Sequence, residues 1–339
     1  MNILLFIKNL QGRGVSKVYL NLAKLLQSGG YNVYFVIRQN IVEFDTSFLN
    51  NFFIISENIT TNLDNLIEKK KIDYIISNNV EYCQKLSNIS QNKIFYSVHM
   101  LWGERLFKQL RFKKIWQLQK EYKNKNIIAI SNAVKDDLLN KIKVKPKRVD
   151  VIYDYFDFDE IEKKSNEYKV NLDNYIVNVG AFSSEKNHKL LIETYKEIDS
   201  KYDLVLIGDG KLKAKIEKLV KKYNLESRVH FLGFLKNPYP YLKNAKLTLL
   251  SSKNESLHGV AVESLFLNTP VVSTDSKGVR EVLTGDLNYF IAKDSKQLIS
   301  LSQEALLKYP KIDNIYYNKF SKELLNSYNS LFKKDYSNE

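Results

Sequence analysis

A chain of 339 residues with 44% apolar content is long enough for two domains with separate cores and too apolar to stay unfolded. Its 52 Lys and Arg against 38 Asp and Glu leave a formal charge of +14, which predicts attraction to an anionic partner without naming one. A single cysteine, Cys83, excludes an intramolecular disulfide, and "NNVEYCQKL" has no metal-ligand spacing, so a buried inert thiol is expected. No apolar run reaches bilayer length, and "MNILLFIKNLQG" reads as a strand rather than a secretion leader, so the chain is expected in the cytoplasm.

Along the chain, the β-branched runs "NILLFI", "NVYFVI", "FFII", "YIIS", "KIFYSV" and "NIIAIS" alternate with helical patterns that include Lys17 to Gln27 and Asn62 to Lys70. That alternation predicts the α/β class, with parallel doubly wound sheets covered by helices. Between the first strand and helix, "KNLQGRGVSK" holds Gly12, Arg13 and Gly14, where N–H groups at a helix start could meet a phosphate. An empty tight loop reads equally well, because the spaced G-x-G-x-x-G of a dinucleotide site is absent. From Glu104 to Asn126, Leu106, Phe107, Leu110, Ile115, Trp116 and Leu118 interleave with Arg105, Lys108, Arg111, Lys113, Lys114 and Lys120. Such a helix either presses a basic, apolar face onto anionic lipid or packs its apolar side into the domain. The lysines of "GKLKAKIEKLVKKYN" read instead as a solvated helix face.

Around Val151 the periodicity fades, and three segments are expected: residues 1–160, residues 161–310, and a C-terminal helical segment, 311–339, packing back on the first domain. The second half reads as "YIVNVGAF", a helix from Lys189 to Ile198, "DLVLIGDG", a helix ending at Tyr223, "RVHFLGFL", "KLTLLSS" and "PVVST". Two facing doubly wound domains would place a central cleft at the carboxyl ends of their strands. In "SSKNESLHGVAVESLFLNTPVVSTD", Glu255 and Glu263 flank Gly259 with seven residues between them. Val260 to Leu267 reads as a helix with Glu263 in its first turn. Free N–H groups there suit anionic oxygens, and each carboxylate can accept two hydrogen bonds from a vicinal diol, such as a sugar or ribose presents. His188 is expected to cap or pack at a helix start and His230 to be satisfied within a strand; His258, in the glutamate loop, could touch ligand or read as an exposed loop residue, and Tyr239 reads as structural.

The glutamate segment resembles the E-x7-E motif of retaining GT-B glycosyltransferases of family four, which serve bacterial lipopolysaccharide, capsule and other glycans. "VNVGAFSSEKNHKLLIETY", "LVLIGDGKLKAKIEKLV", "RVHFLGFLKNPYPYLKNAKLTLLSS" and "FSKELLNSYNSLF" follow the family's second domain in order, while the glycine turn, "YSVHMLW" and "AISNAVKDDL" match its first more loosely. The resemblance implies two Rossmann-like domains, the first binding the acceptor and the second a nucleotide sugar. It implies transfer of a hexosyl group with retention, from a UDP-sugar or GDP-mannose to a surface-glycan or lipid-linked hydroxyl. No cofactor and no metal are implied, and the enzyme would work on the inner face of the membrane.

By the same resemblance Glu255 contacts donor-sugar hydroxyls, Glu263 holds the ribose, and Lys186 meets the diphosphate, with Gly180 at the end of its strand. The Gly12 to Gly14 turn and the N–H groups of Gly259 and Val260 approach the same phosphates, Leu232 and Gly233 border the base, and His99 lies near the donor sugar. Two departures stand out. Ala181 occupies the place of the family's usual arginine, so Arg13 is expected to supply charge, and Asn268 replaces a glycine common before the "TPVV" strand. Competing readings are a non-hydrolysing sugar-nucleotide epimerase, a nucleotide-dependent dehydrogenase and a basic nucleic-acid-binding protein, although nothing resembles a nucleic-acid recognition module.

Overall fold

A computed structural model describes residues 1–12 and 14–333. It divides into two compact units, Met1–Phe156 with the chain from Phe320 onward, and Asp157–Lys319. The sequence reading put its boundaries at 160 and 310; the units divide at 156 and 319.

The first unit is built on seven strands: β1 (Asn2–Ile7), β2 (Asn32–Ile37), β3 (Asn51–Ile54), β4 (Tyr74–Ser77), β5 (Ile94–Val98), β6 (Asn126–Ala129) and β7 (Arg148–Val151). All pair in parallel in the order β3-β2-β1-β4-β5-β6-β7. The near-continuous apolar runs have a simple cause: helices cover both faces, so Ile3 to Ile7 are at most 1% exposed. The helix Val15–Ser28 sets Tyr19, Leu22, Ala23 and Leu26 against the sheet at helical spacing. Strand β7 escaped the sequence reading because "RVDV" alternates charge with valine. Arg148 and Asp150 pair with each other along the strand, Nε to Oδ2 at 2.6 Å, so an edge position carries the charge.

The helix Leu324–Lys333 belongs to this first unit. Leu324, Tyr328, Leu331 and Phe332 join its core, Tyr74 Oη donates to Phe332 O at 2.7 Å, and the two rings stack 4.8 Å apart. Cys83 is fully buried, which pushes its thiol up to about 12.

The second unit holds six parallel strands, β8 (Tyr175–Val179), β9 (Asp203–Ile207), β10 (Val229–Gly233), β11 (Leu247–Leu250), β12 (Val271–Thr274) and β13 (Ile291–Ala292), in the order β10-β9-β8-β11-β12-β13. The two-residue β13 and the helix Ser295–Leu307, capped by Asp294 accepting from Gln297 N at 2.9 Å, were not anticipated. Two α/β units with parallel sheets are the class expected from the alternating pattern. No helix among the described residues is long and apolar enough to cross a membrane.

Candidate functional site

In the second unit the loops after β8, β9 and β11 converge through backbone contacts. Gly208 has φ +151°, and a Cβ there would meet Gly180 O at 2.0 Å, so only glycine lets the loops after β8 and β9 lie together. Gly208 N donates to Gly233 O at 2.7 Å, which ties the end of β10, with Leu232 and Gly233, to the same place. Ser251 Oγ donates to Lys186 O at 2.8 Å, and Lys253 N donates to Glu185 O at 2.8 Å, joining the loop after β8 to the loop after β11.

Those ties bring Lys186 to Glu255. The ammonium sits 2.6 Å from Glu255 Oε1, with both side chains largely covered. Burial pushes the Glu255 carboxyl up, but His258, the charge of Lys186 and hydrogen bonds from Lys186 and Ser252 outweigh it and hold it below the usual carboxylate range. His258 is itself kept neutral by burial, its pKa lowered to about 4, so near neutral pH the partner cation is Lys186. The Glu255 backbone is fixed from the other side, where Gly278 N donates to Glu255 O at 3.0 Å and a Cβ on Gly278 would sit 2.6 Å from that oxygen. The sequence reading gave Gly278 no role; an isolated glycine ahead of a helical pattern was the available signal.

The helix Gly259–Phe266 begins directly after this loop. No side chain caps it, and His258 O accepts from Ala261 N and Val262 N at 3.0 and 3.3 Å. The N–H groups of Gly259 and Val260 have no protein acceptor among the described residues, which leaves the positive end of the helix dipole open to an anion. Glu263 is the fifth residue of this helix rather than part of its first turn. It is 7% exposed and accepts a hydrogen bond from Tyr239 Oη at 3.1 Å, so Tyr239, expected to be only structural, belongs to the site. His258, expected to be exposed, is 2% exposed, with Nε2 unbonded among the described residues. His188 packs at its helix start, stacked 4.2 Å from Phe182, and His230 Nε2 lies 2.7 Å from Asp203 Oδ2.

The first unit holds the other named residues. Gly12 has φ +75°, and its N–H, expected to face a phosphate, donates to Glu43 Oε2 at 3.1 Å; Gly14 directly precedes the helix Val15–Ser28, and Arg13 lies outside the described residues. His99 Nε2 is 3.1 Å from Ser97 Oγ, which also contacts Tyr19 Oη at 2.5 Å, and His99 Nδ1 lies 3.7 Å from Asp154 Oδ1. The four side chains line a cavity of about 20 Å³. Burial lowers His99 to about 4 and raises Asp154 to about 7, so both are driven toward their uncharged forms. The basic stretch with Arg105, Lys108, Arg111, Lys113, Lys114 and Trp116 forms two helices, Gly103–Lys108 and Phe112–Tyr122, rather than one, because the backbone turns left-handed at Leu110.

Comparison with known proteins agrees with this division. The family described as "Glycosyltransferase Family 4" matches residues 12–160, and "Glycosyl transferases group 1" matches residues 157–322. A Campylobacter jejuni protein, N-acetylgalactosamine-N,N'-diacetylbacillosaminyl-diphospho-undecaprenol 4-alpha-N-acetylgalactosaminyltransferase, is 32% identical over 186 residues, 54% of this chain and 51% of its own length. An uncharacterized glycosyltransferase of Methanocaldococcus jannaschii is 36% identical over 162 residues, 44% of this chain and 38% of its own. The matched stretch thus spans about half or less of these relatives. The crystal structure of Anabaena HepE in complex with UDP and glucose superposes with a TM-score of 0.73 at 15% identity, covering 99% of this chain and 100% of that one, a likeness of fold. With the two family matches running in tandem from residue 12 to residue 322, the chain belongs to the family 4 glycosyltransferases of the GT-B fold.

Proposed function

We propose that this protein is a retaining glycosyltransferase that moves a hexosyl group from a nucleotide sugar, a UDP-sugar before GDP-mannose, to a hydroxyl of a bacterial surface glycan or lipid-linked saccharide, without a metal ion. The reading is carried by the Lys186–Glu255 pair, 2.6 Å apart beside the uncapped start of the helix that holds Glu263. An ionised Glu255 accepts hydrogen bonds from donor-sugar hydroxyls, and Glu263 accepts them from the ribose. The Lys186 ammonium has three donors, so it can keep Glu255 while binding a diphosphate oxygen. Together with the N–H groups of Gly259 and Val260, it offsets charge building on the leaving diphosphate. Ala181 removes the second cation usual in the family, which raises the demand on Lys186. The neutral His99 imidazole suits a positioning role at the sugar.

In the transfer, the acceptor oxygen bonds to the anomeric carbon as the bond from that carbon to the diphosphate breaks, and the acceptor proton passes to a phosphate oxygen. Retention follows if both events occur on one face of the sugar. The Campylobacter relative, named for a diphospho-undecaprenol acceptor, supports a lipid-linked acceptor here, and the HepE structures with UDP and UDP-glucose support a uridine donor. These substrates would place the enzyme in the cytoplasm.

The test is UDP release from UDP-hexoses with and without saccharide acceptors, with the product anomer read by proton NMR. Acceptor-dependent release that persists in EDTA and keeps the donor's configuration is expected. Epimerisation without an acceptor would move the assignment to the epimerase reading, and an inverted product would remove the retaining mechanism.

A further inference from the structure

Six arginines lie among the described residues, and the surroundings of five are simple. Arg148 and Arg280 pair with Asp150 and Asp275, Arg228 donates from Nη2 to the carbonyls of Ile198, Asp199 and Tyr202, and Arg105 and Arg111 are exposed. Arg38 differs. It is only partly exposed, its Nε is shut off from solvent without a hydrogen-bond partner, and no carboxylate pairs with it among the described residues. A guanidinium stripped of part of its hydration is costly unless an acceptor takes the place of the lost water.

The fold holds this cation in place. Arg38 directly follows β2, and its N–H donates to Ile7 O and Lys8 O at 3.2 and 3.1 Å, which fixes it at the carboxyl end of the first unit's sheet. Val33, Phe35 and Ile37 join the core cluster of the helix Val15–Ser28, so strand alternation turns Arg38 to the opposite face, with Phe6. There its guanidinium carbon lies 5.4 Å from the centre of the Tyr82 ring, which meets Phe6 edge-on at 6.3 Å. The ring contact steadies the cation without neutralising it. The loop after β4 reaches the same end of β1, where Asn79 Nδ2 donates to Phe6 O at 3.3 Å and to Asn78 Oδ1 at 3.1 Å. Lys8, exposed and next to Arg38 in the register of β1 and β2, adds a second positive charge.

We propose that Arg38 anchors a binding site for an oxyanion carried by the acceptor saccharide, a carboxylate or a phosphate. With Nε closed in, the charge is offered through Nη1 and Nη2, whose planar fork matches two oxygens of either group. A neutral sugar hydroxyl would leave the charge uncompensated. The site deepens the proposed function and rests on it in one respect, that the first unit holds the acceptor; what it adds is that the acceptor is acidic or phosphorylated.

The test is nitrogen-15 NMR of arginine side chains in the full chain with excess UDP present, so that added anions do not act through a diphosphate site. The Arg38 guanidinium signal is identified by its loss in Arg38→Gln, and glucuronic acid, inorganic phosphate and glucose are titrated at constant ionic strength. Expected is a saturating shift of that signal with an oxyanion and none with glucose, while the signals of Arg148 and Arg280, already paired with aspartates, stay in place. A response to glucuronic acid alone assigns a carboxylate on the acceptor, and a response to phosphate alone assigns a phosphate. Arg38→Lys, which keeps the charge and loses the fork, should need at least fivefold more of the same anion to reach half its effect on neighbouring amides, and it carries the comparison if Arg38→Gln does not fold. UDP affinity should stay within twofold in either variant. No shift with either oxyanion, an equal shift with glucose, or an Arg38→Lys response equal to the parent's would overturn the proposal. Equal shifts at Arg148 and Arg280 would overturn it too, as the mark of an adventitious ion only. Failure of the parent to bind UDP would count instead against the proposed function, and the Arg38 titration would still be read.

Discussion

The two units share one plan, parallel strands feeding loops that open helices, yet their polar clusters are built oppositely. In the first, Tyr19, Ser97, His99 and Asp154 surround about 20 Å³, and burial drives His99 and Asp154 toward neutrality. In the second, Glu255 is held in its charged form beside Lys186, and two helix N–H groups lack protein acceptors among the described residues. Where desolvation costs more than internal partners return, ions are driven neutral, whereas a carboxylate in direct contact with an ammonium is held in its charged form. The difference lies in the loops: Gly278 N, Ser251 Oγ and Lys253 N donate to backbone carbonyls and clamp the loops of the second cluster.

Lys186→Ala strikes that difference hardest. It removes the cation paired with Glu255, which under the proposed function also faces the leaving diphosphate, and initial rates should fall by about 10²–10³-fold in kcat. Loss of only a few fold would place the charge neutralisation elsewhere. Glu263→Ala should act on binding instead, raising the donor KM by the equivalent of about 1.5–3 kcal/mol with little change in kcat. Unchanged donor KM would sever Glu263 from the nucleotide.

The units should also part under acid. His99, His188 and His258 have folded pKa values near 4 against an ordinary 6.5, so each withdraws stability as pH falls from 6.5 toward 4, where the unfolded chain binds the extra proton. Asp154 works the other way. Its folded pKa of about 7 exceeds the ordinary 3.8, so it adds stability as pH falls through 7 and withdraws it on the way up. In the first unit His99 and Asp154 therefore offset each other, and the second unit carries the acid sensitivity through His188 and His258. Hydrogen exchange at pH 5 should show amides of residues 157–319 losing protection before those of residues 1–156. Asp154→Asn should abolish that order. The smallest expected effect is Tyr239→Phe, which takes one donor from Glu263 and should raise donor KM by about 0.5–1.5 kcal/mol. A KM shift matching that of Glu263→Ala would mean the hydroxyl sets the carboxylate's orientation outright.

Much of this fold was legible because buried parallel strands write themselves as unbroken apolar runs, as in "NILLFI" and "NVYFVI". What escaped did so for local reasons. β7 hides its strand character behind Arg148 and Asp150, β13 has too few residues to show a period, and the helix expected from Glu104 to Asn126 is broken by a leucine where glycine would have announced a turn. Asn268, noted as a departure from a common glycine, has φ +59°, which asparagine tolerates. Glu255 was singled out by its spacing around Gly259 and Lys186 by resemblance, and their contact at 2.6 Å is a finding of the structure. The contact of Tyr239 with Glu263 escaped because it joins residues 24 positions apart, which no local period shows.

The helix Leu324–Lys333, built into the core of the first unit, sets an order of synthesis. Residues 157–319 leave the ribosome before the segment that fills the gap beside Tyr74 and Phe95. Nascent chains usually complete their leading domain first. Here the trailing unit has all of its residues earlier, and the leading one waits, with part of its apolar interior open to chaperones, for a stretch made more than 150 residues after its own last strand.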